Sequence, residues 1–303
     1  MNRIAIALIA TMLALPLAAR AETCDRTCLE GVADTFLAAL AKQDPAALKW
    51  APVVRNSENS VSMNIGEGIW GTATATHPGG VMAADPHTGN VVWLGVVEEH
   101  GQPAFMGLRL RAVNGTVADV ESVVARKGEP IPYGTPETYK PDAVFAKSIP
   151  QKARRPRDEM IGIVQDYYDS KLSGTLKARF ARKCARVIDG VTTTSGDHPD
   201  AKVAKGCAAQ VTAGVFKPIE AYRARRFPVV DEERGVVVAI AMEDRPVYDV
   251  DFKSADGKDH KVALEYPNTR GLMEIFKISN GAIERVEGVS GFLPYYMPSP
   301  WGE

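Results

Sequence analysis

Alternating apolar and polar residues predict a β-hairpin in each half of the chain. Met106, Leu108 and Leu110 alternate with Gly107, Arg109 and Arg111, which is the period of a half-buried strand. Asn114-Gly115 follows, and this dipeptide favours positive φ at both central residues of a type I′ turn. The arrangement recurs at Asn280-Gly281, between the predicted strands Leu272–Ser279 and Ile283–Val289. The recurrence indicates two domains of one design.

A helical period precedes the strands of each half. Apolar residues recur on one face between Glu22 and Ala41, and again between Met160 and Leu172. A further helix is predicted over Cys207–Tyr222. Helices followed by antiparallel strands predict an α+β fold. Proline density predicts a stiff linker between the halves, so the expected organisation is a first domain at 22–127, a linker at 128–156 and a second domain at 157–303.

Five features occur in the same order in both halves, and we interpret this order as a duplication. They are Arg55 with Glu58-Asn59 and Arg186 with Asp189-Gly190; Gly68-Ile69-Trp70 and Gly214-Val215-Phe216; Asp85–Gly89 and Asp231–Gly235; Arg111 and Lys277; and Glu121 and Glu287.

The first 21 residues have the pattern of a secretory signal peptide. Arg3 precedes an apolar run from Ile4 to Leu17, and Ala19-Arg20-Ala21 provides a cleavage motif. The apolar run is too short for a membrane span, and no later stretch approaches ~18 consecutive apolar residues. We therefore expect a periplasmic or secreted protein; an uncleaved anchor is the alternative.

Four cysteines in an exported chain predict two disulfides. Spacing favours Cys24–Cys28 and Cys184–Cys207 among the three possible pairings. A zinc site built from all four cysteines is disfavoured, because neither pair has the two-residue spacing of a zinc knuckle.

Composition and charge narrow the range of partners. The net charge is −1, so nothing in the composition calls for nucleic acid or an anionic membrane. The five histidines are never spaced as a metal-binding pair, and there is neither a glycine-rich phosphate loop nor a G-x-S-x-G motif. We expect no metal, no cofactor and a small-molecule ligand.

The ordered features resemble those of the nuclear-transport-factor-2-like, or SnoaL-like, superfamily. Arg55, Glu58 and Asn59, their counterparts Arg186, Asp189 and Gly190, and the two Asn-Gly hairpins carry the resemblance. The second half also resembles an uncharacterised domain family of secreted bacterial and fungal proteins, through Cys184 and Cys207, the run from Arg226 to Gly235, and Tyr295-Tyr296-Met297-Pro298-Ser299.

The resemblance implies two tandem cone-shaped α+β domains, each with N-terminal helices packed on a curved antiparallel sheet. Cones of this superfamily commonly pair through their open sheet faces. We therefore expect a monomer that acts as an intrachain pseudo-dimer rather than a homodimer.

The resemblance also implies a candidate site in which a buried carboxylate is a general base. The candidates are Glu58 and Asp189 as bases, Tyr167 and Tyr168 as oxyanion stabilisers, Arg55, Arg186 and Arg226 as substrate-binding cations, and Trp70 and Phe216 as apolar walls. Other interpretations stay open. Arg55 and Glu58 could form an ion pair that fixes a turn, and Trp70 and Phe216 could belong to the core. Glu121 and Glu287 are expected to point outward.

Two functions fit this pattern. One is a cofactor-independent lyase, isomerase or hydrolase acting on a small organic molecule. The other is a non-catalytic ligand-binding or assembly module. Fold-level resemblance does not decide between them.

Overall fold

The computed structural model describes residues 24–246, 250–253, 257–262 and 266–302. The predicted signal peptide lies outside these residues. Within them, no helix is both long enough and apolar enough to cross a membrane. Both predicted disulfides, Cys24–Cys28 and Cys184–Cys207, are confirmed.

The first half is a helix packed on a seven-stranded sheet. Helix α1 begins where the Asp25 side chain accepts a hydrogen bond from Cys28 N. The elements are α1 Arg26–Ala41, β1 Trp50–Glu58, β2 Val61–Ser62, α2 Ile69–Thr72, β3 Ala73–Thr76, β4 Val81–Asp85, β5 Asn90–Glu99, β6 Gln102–Val113 and β7 Thr116–Ala125. The strand order is β2-β1-β7-β6-β5-β3, with β4 also paired to β5, and β1 runs parallel to β7.

The second half repeats this strand order. Its elements are α3 Arg157–Ser173, β8 Phe180–Ile188, β9 Val191–Thr192, α4 Pro199–Val203, α5 Cys207–Thr212, β10 Ala221–Asp231, β11 Val236–Arg245, β12 Val250–Lys253, β13 Asp259–Val262, β14 Asn268–Ser279 and β15 Ala282–Pro294. Written from the same edge as the first sheet, the main sheet has the order β9-β8-β15-β14-β11-β10, and β8 runs parallel to β15. The fold is therefore α+β with two sheet-bearing halves.

One predicted helix is mostly wrong. Within Cys207–Tyr222 the helix ends at Thr212, turns follow, and β10 begins at Ala221. Gly214 has φ +79°, a left-handed conformation that stops the helix.

The two Asn-Gly hairpins are confirmed. Asn114 and Gly115 have φ of 49° and 73°, and Asn280 and Gly281 have φ of 51° and 71°, as a type I′ turn requires. Glu121 and Glu287 take equivalent places, because each pairs with the residue just before the end of the parallel strand, Ser57 and Val187.

The proposed match between Arg55–Glu58 and Arg186–Asp189 is wrong by one residue. Arg55 pairs with Asp119, and the equivalent register position is Ala185, which pairs with Arg285. Asp189 therefore corresponds to Asn59; both follow their strands with positive φ, 48° and 44°. Because strand side chains alternate between faces, a shift of one residue places Arg186 on the opposite face from Arg55.

The two sheets pack face to face through one hydrophobic cluster. Alternate residues of β11 divide between the faces: Val237 and Ala239 pack on the helix side, whereas Val238 and Ile240 meet the other half. The shared cluster includes Val92, Leu94, Val96, Phe105 and Val123 from the first sheet and Val229, Val238, Ile240, Met273 and Ile275 from the second. Helices α1 and α3 cover the outer faces.

The proline-rich segment at 128–156 packs against both halves. It contains short 3-10 turns at Pro136–Thr138, Ala143–Ala146 and Gln151–Ala153. Phe145 joins the cluster between the sheets, and the Tyr133 hydroxyl donates to the carbonyl of Pro103 in β6.

Candidate functional site

A cavity of about 370 Å³ lies in the second half, between its sheet, α3 and the α4 region. Basic and acidic side chains reach it together with an apolar wall. The charged lining is Lys171, Arg186, Asp200, Glu243, Arg245 and Arg270. The apolar lining includes Ile131, Ile188, Val215, Phe216 and Leu272.

Lys171 is the most unusual of these groups. Its side chain is 0% exposed, and its Nζ lies 5.1, 4.6 and 4.8 Å from the ring centroids of Tyr167, Phe216 and Tyr222. Glu243 Oε2 is 3.7 Å away, and Nζ has no hydrogen-bond partner among the described residues. Burial lowers the pKa of Lys171 to about 8. This amine is therefore far easier to deprotonate than a surface lysine.

Glu243 is a fully engaged carboxylate. It accepts hydrogen bonds from the Tyr222 hydroxyl at 2.8 Å and from Arg245 Nε at 2.7 Å. Burial acts to raise the pKa of Glu243, but the charges of Arg245 and Lys171 outweigh it and hold the pKa well below its usual range. Glu243 is thus an anionic partner for the cavity cations at ordinary pH.

Arg186 and Arg270 add buried positive charge. Arg186 contacts Glu274 at 3.3 Å, and Glu274 also accepts from the Tyr168 hydroxyl at 2.9 Å. The Nε atoms of Arg186 and Arg270 are buried and have no hydrogen-bond partner among the described residues. Burial, reinforced by Arg245, lowers the pKa of Arg270 to about 10. Four basic side chains against two acidic ones give the lining an excess of positive charge.

Asp189 lies behind the cavity rather than in its wall. It is 0% exposed, and its carboxylate accepts hydrogen bonds from Ser290 N at 2.9 Å and from Ser290 Oγ. Ser290 lines the cavity. Burial raises the pKa of Asp189 to about 7. The shift fits the predicted general base, but Ser290 occupies both carboxylate oxygens.

Glu58 also has a local partner for each oxygen. It accepts from Ile69 N at 2.7 Å, at the start of α2, and from Arg126 at 2.6 Å. Arg55 binds Asp119 instead of Glu58, so the expected Arg55–Glu58 ion pair is wrong. The reason is the three-residue spacing in a strand, which directs the two side chains to opposite faces.

The indole ring of Trp301 packs against the guanidinium group of Arg55, which also binds Asp119. Its ring centroid lies 4.3 Å from Arg55 Cζ and 4.4 Å from Arg109 Cζ, and its Nε1 donates to Ser57 Oγ at 2.8 Å. The tail of the chain therefore docks on β1 of the first half.

The predicted aromatic residues divide between core and cavity. Trp70 packs in the first hydrophobic core with Phe36 at a centroid distance of 5.0 Å, which confirms the core interpretation. Phe216 belongs to the second core and also lines the cavity. Tyr167 and Tyr168 are buried in the second core, and burial raises the pKa of both hydroxyls.

Glu121, Glu287 and Arg226 lie between the halves. Both Nη atoms of Arg226 donate to Glu121, at 2.6 and 3.0 Å, and Arg109 Nε donates to it at 2.8 Å. Glu287 accepts from the Tyr139 hydroxyl at 2.9 Å and from the amide of Asp142. The expectation that the two glutamates point outward is wrong, because the other half and the segment at 128–156 cover their sheet faces.

Of the predicted site residues, the fold brings only Arg186 and Phe216 to this cavity. Lys171, Glu243, Arg245 and Arg270 were not identified from sequence. Lys171 did carry a signal, since it lies four residues after Tyr167 and so falls on the buried face of α3. No group of three or more potential metal ligands occurs in the described part of the chain.

Solved structures similar to parts of the chain have low identity. A putative hydroxylase, AclR, from Streptomyces galilaeus is 14% identical, covers 34% of this chain and 82% of its own, and has a TM-score of 0.28. A putative polyketide cyclase from Xanthomonas campestris pv. campestris is 19% identical, with coverages of 44% and 90% and a TM-score of 0.27. One from Silicibacter sp. TM1040 is 14% identical, with the same coverages and a TM-score of 0.29.

No curated protein matches the chain. A family model described as a domain of unknown function, DUF8021, matches residues 153–290. This stretch begins just before α3 and contains the Lys171, Arg186, Glu243 and Arg270 side chains of the cavity.

Proposed function

We propose that the second half binds a small organic carboxylate in its cavity. The observation that carries the proposal is the excess of positive charge in the cavity lining, where Lys171, Arg186, Arg245 and Arg270 stand against Asp200 and Glu243. Unbalanced buried charge is costly. A bound anion would offset it.

The rest of the lining favours an organic anion over an inorganic one. Ile188, Val215 and Phe216 give the cavity an apolar wall beside the basic side chains. Its volume of about 370 Å³ falls in the range of small-molecule sites, roughly 300–1,000 Å³. A carboxylate attached to a small apolar body suits both surfaces.

We also infer that the protein is exported to the periplasm or secreted, and that each half is a duplicated cone of the nuclear-transport-factor-2-like type. Two disulfides favour an oxidising compartment. The shared strand order supports the duplication. The cluster shared by the two sheets supports a monomeric pseudo-dimer, and a solution mass near twice that of one chain would contradict it.

Enzymatic action would place a reactive group in contact with this ligand. Glu58 and Asp189 receive less support as bases than Lys171, because neither lines the cavity. A non-catalytic binding module is the alternative function, and it requires the same anion site without turnover.

Thermal unfolding with a panel of small acids tests the binding proposal. Acetate, succinate, benzoate, mandelate and benzoylformate are compared with inorganic phosphate. A ligand at 100 times its Kd stabilises the folded state by about 2.7 kcal/mol, which is a readily measured rise in Tm. Arg270→Gln should reduce the shift, whereas Arg182→Gln, at an exposed residue outside the cavity, should leave it unchanged.

Three results would contradict the proposal. If no carboxylate raises the Tm of the native protein, the cavity does not bind this class. A shift of equal size in Arg270→Gln would place the ligand elsewhere. A shift with phosphate alone would identify an inorganic anion instead.

A further inference from the structure

We infer that the ligand of the cavity is a monocarboxylate with an apolar body, and that Arg270 selects it by pairing with its carboxylate group. This inference rests on the proposed function, because it requires that the cavity bind an organic carboxylate. It adds to that function the number of charges on the ligand and the residue that recognises the charge. Dicarboxylates of the same shape are discriminated against.

Arg270 is the arginine of the cavity whose charge has no carboxylate partner. Arg186 pairs with Glu274 at 3.3 Å, and Arg245 pairs with Glu243 at 2.7 Å. Arg270 forms neither an ion pair nor a hydrogen bond with the part of the chain that the structure describes. A ligand can therefore neutralise Arg270 without displacing a carboxylate of the protein.

Two acidic residues act on Arg270 electrostatically, but both are bound to other groups. Glu243 lies directly opposite Arg270 in the pairing of β11 with β14, yet each of its oxygens accepts a hydrogen bond from another side chain. Asp189 uses both of its oxygens to accept hydrogen bonds from Ser290. The fold thus places acids near Arg270 and directs their oxygens elsewhere.

A molecule in the cavity can reach the guanidinium group of Arg270. The residue lines the cavity and is partly accessible, in contrast to the fully buried amine of Lys171. Its Nε is buried without a partner, whereas its two Nη nitrogens are not buried. Two adjacent N–H donors of this kind match the two oxygens of a carboxylate.

The charges around the cavity leave room for one negative charge. Four basic side chains line it, and the acidic side chains on or behind its wall are Glu243, Asp200 and Glu274. Burial lowers the pKa of His198, so this lining residue is neutral at pH 7. The excess is a single positive charge, which a monocarboxylate balances.

A second carboxylate on the ligand would meet an unfavourable surface. Leu272 lies two residues after Arg270 in β14 and so on the same face of the strand, and Ile188 and Phe216 extend the apolar lining. The acidic side chains of Glu243 and Asp200 belong to the same lining. An ionised carboxylate would lose water there without gaining a cation, which is costly.

Calorimetric titration of the full chain with ligands matched in shape tests the number of charges. Para-nitrobenzoate is compared with terephthalate, because a nitro group has the shape of a carboxylate but no net charge. Isocaproate is compared with succinate, because an isopropyl group replaces one carboxylate. We expect a monocarboxylate to bind and its dicarboxylate match to bind at least about tenfold more weakly at neutral pH.

A variant of Arg270 tests the assignment of the selecting residue. Arg270→Gln should weaken the binding of para-nitrobenzoate at least about tenfold, while the affinity for the neutral para-nitrobenzamide stays the same. A purely structural role of Arg270 would weaken both ligands together. Arg182→Gln, at an exposed residue outside the cavity, should change neither affinity. If Arg270→Gln does not fold, Arg270→Lys should retain the preference for the acid over the amide, because it keeps the charge.

The outcomes separate this inference from the proposed function. A dicarboxylate that binds as tightly as its monocarboxylate match overturns the inference and leaves the anion site standing. Equal weakening of acid and amide in Arg270→Gln, or loss of the preference in Arg270→Lys, overturns the role of Arg270. Failure of every acid to bind overturns both the inference and the proposed function.

Discussion

Replacement of Glu121 by glutamine tests whether the buried charges between the halves stabilise the fold. Glu121 is 6% exposed, and its carboxylate accepts hydrogen bonds from both Nη atoms of Arg226 and from Nε of Arg109. Glutamine has nearly the same shape but no charge, and its amide group would face a guanidinium group. The substitution therefore removes the anion and leaves two arginines behind.

The expected loss in the free energy of unfolding depends on the contacts that each arginine keeps after the substitution. Removing one partner of a buried ion pair costs about 3–5 kcal/mol. Arg109 keeps hydrogen bonds to Asn90 at 2.9 Å and to Asp119 at 3.5 Å. Arg226 has a side chain that is 24% exposed, so water compensates part of its loss. We therefore expect a loss near the lower limit, about 3 kcal/mol in the free energy of unfolding.

Denaturant unfolding followed by tryptophan fluorescence measures this loss, because Trp301 lies beside Arg109 and Arg226. Glu159→Gln is the matched control: Glu159 is half exposed and its ion-pair partner in the described part of the chain is Arg155, four residues away, so its loss should be about 0.5 kcal/mol. A loss below about 1 kcal/mol for Glu121→Gln would refute the view that this contact is a desolvated ion pair.

Two further predictions concern pH and cross-linking. The folded-state pKa of Asp189, about 7, lies above its ordinary value of 3.8, so its stabilising contribution is present below about pH 4 and lost as pH rises through about 7. Asp189→Asn should remove this part of the pH dependence and be more stable than the native protein near pH 8, by on the order of 1 kcal/mol, in denaturant unfolding at several pH values; a variant that is less stable at that pH would contradict this. Removing Cys184–Cys207, which joins residues 23 apart, should cost about 3 kcal/mol, and removing Cys24–Cys28, which joins residues 4 apart, about 2 kcal/mol, measured as the shift in denaturant midpoint; equal losses would contradict the loop-entropy reasoning.

The sequence predicted those parts of the fold that depend on local chemistry. The two Asn-Gly turns follow from a conformational preference of two adjacent residues, and helices α1 and α3 follow from a period of apolar side chains. The disulfide pairing followed from spacing. Each of these signals lies within a short stretch of sequence, the longest being the separation of 23 residues between Cys184 and Cys207.

The candidate site depended on information that is not local. A one-residue error in matching Arg55 to Arg186 reversed the face of the strand, and a pattern of period two tolerates no such error. The hairpin pattern predicts that Glu121 and Glu287 are exposed, because nothing in their own strands indicates that a second layer covers them. The cavity gathers Lys171, Arg186, Glu243 and Arg270 from four elements, and only the folded sheet brings them together.

The docking of Trp301 on the first half has a consequence for the order of folding. The hydrogen bond from Trp301 to Ser57 joins residues 244 apart in the chain. Contacts of such separation form late, because closing the intervening loop costs entropy before the contact stabilises anything. The first sheet can assemble from residues 50–125, but the stacking of Arg55 and Arg109 on an indole ring waits until nearly the whole chain is available. Trp301 thus covers Arg55 of β1 late in folding, although β1 is the first strand in the described sequence.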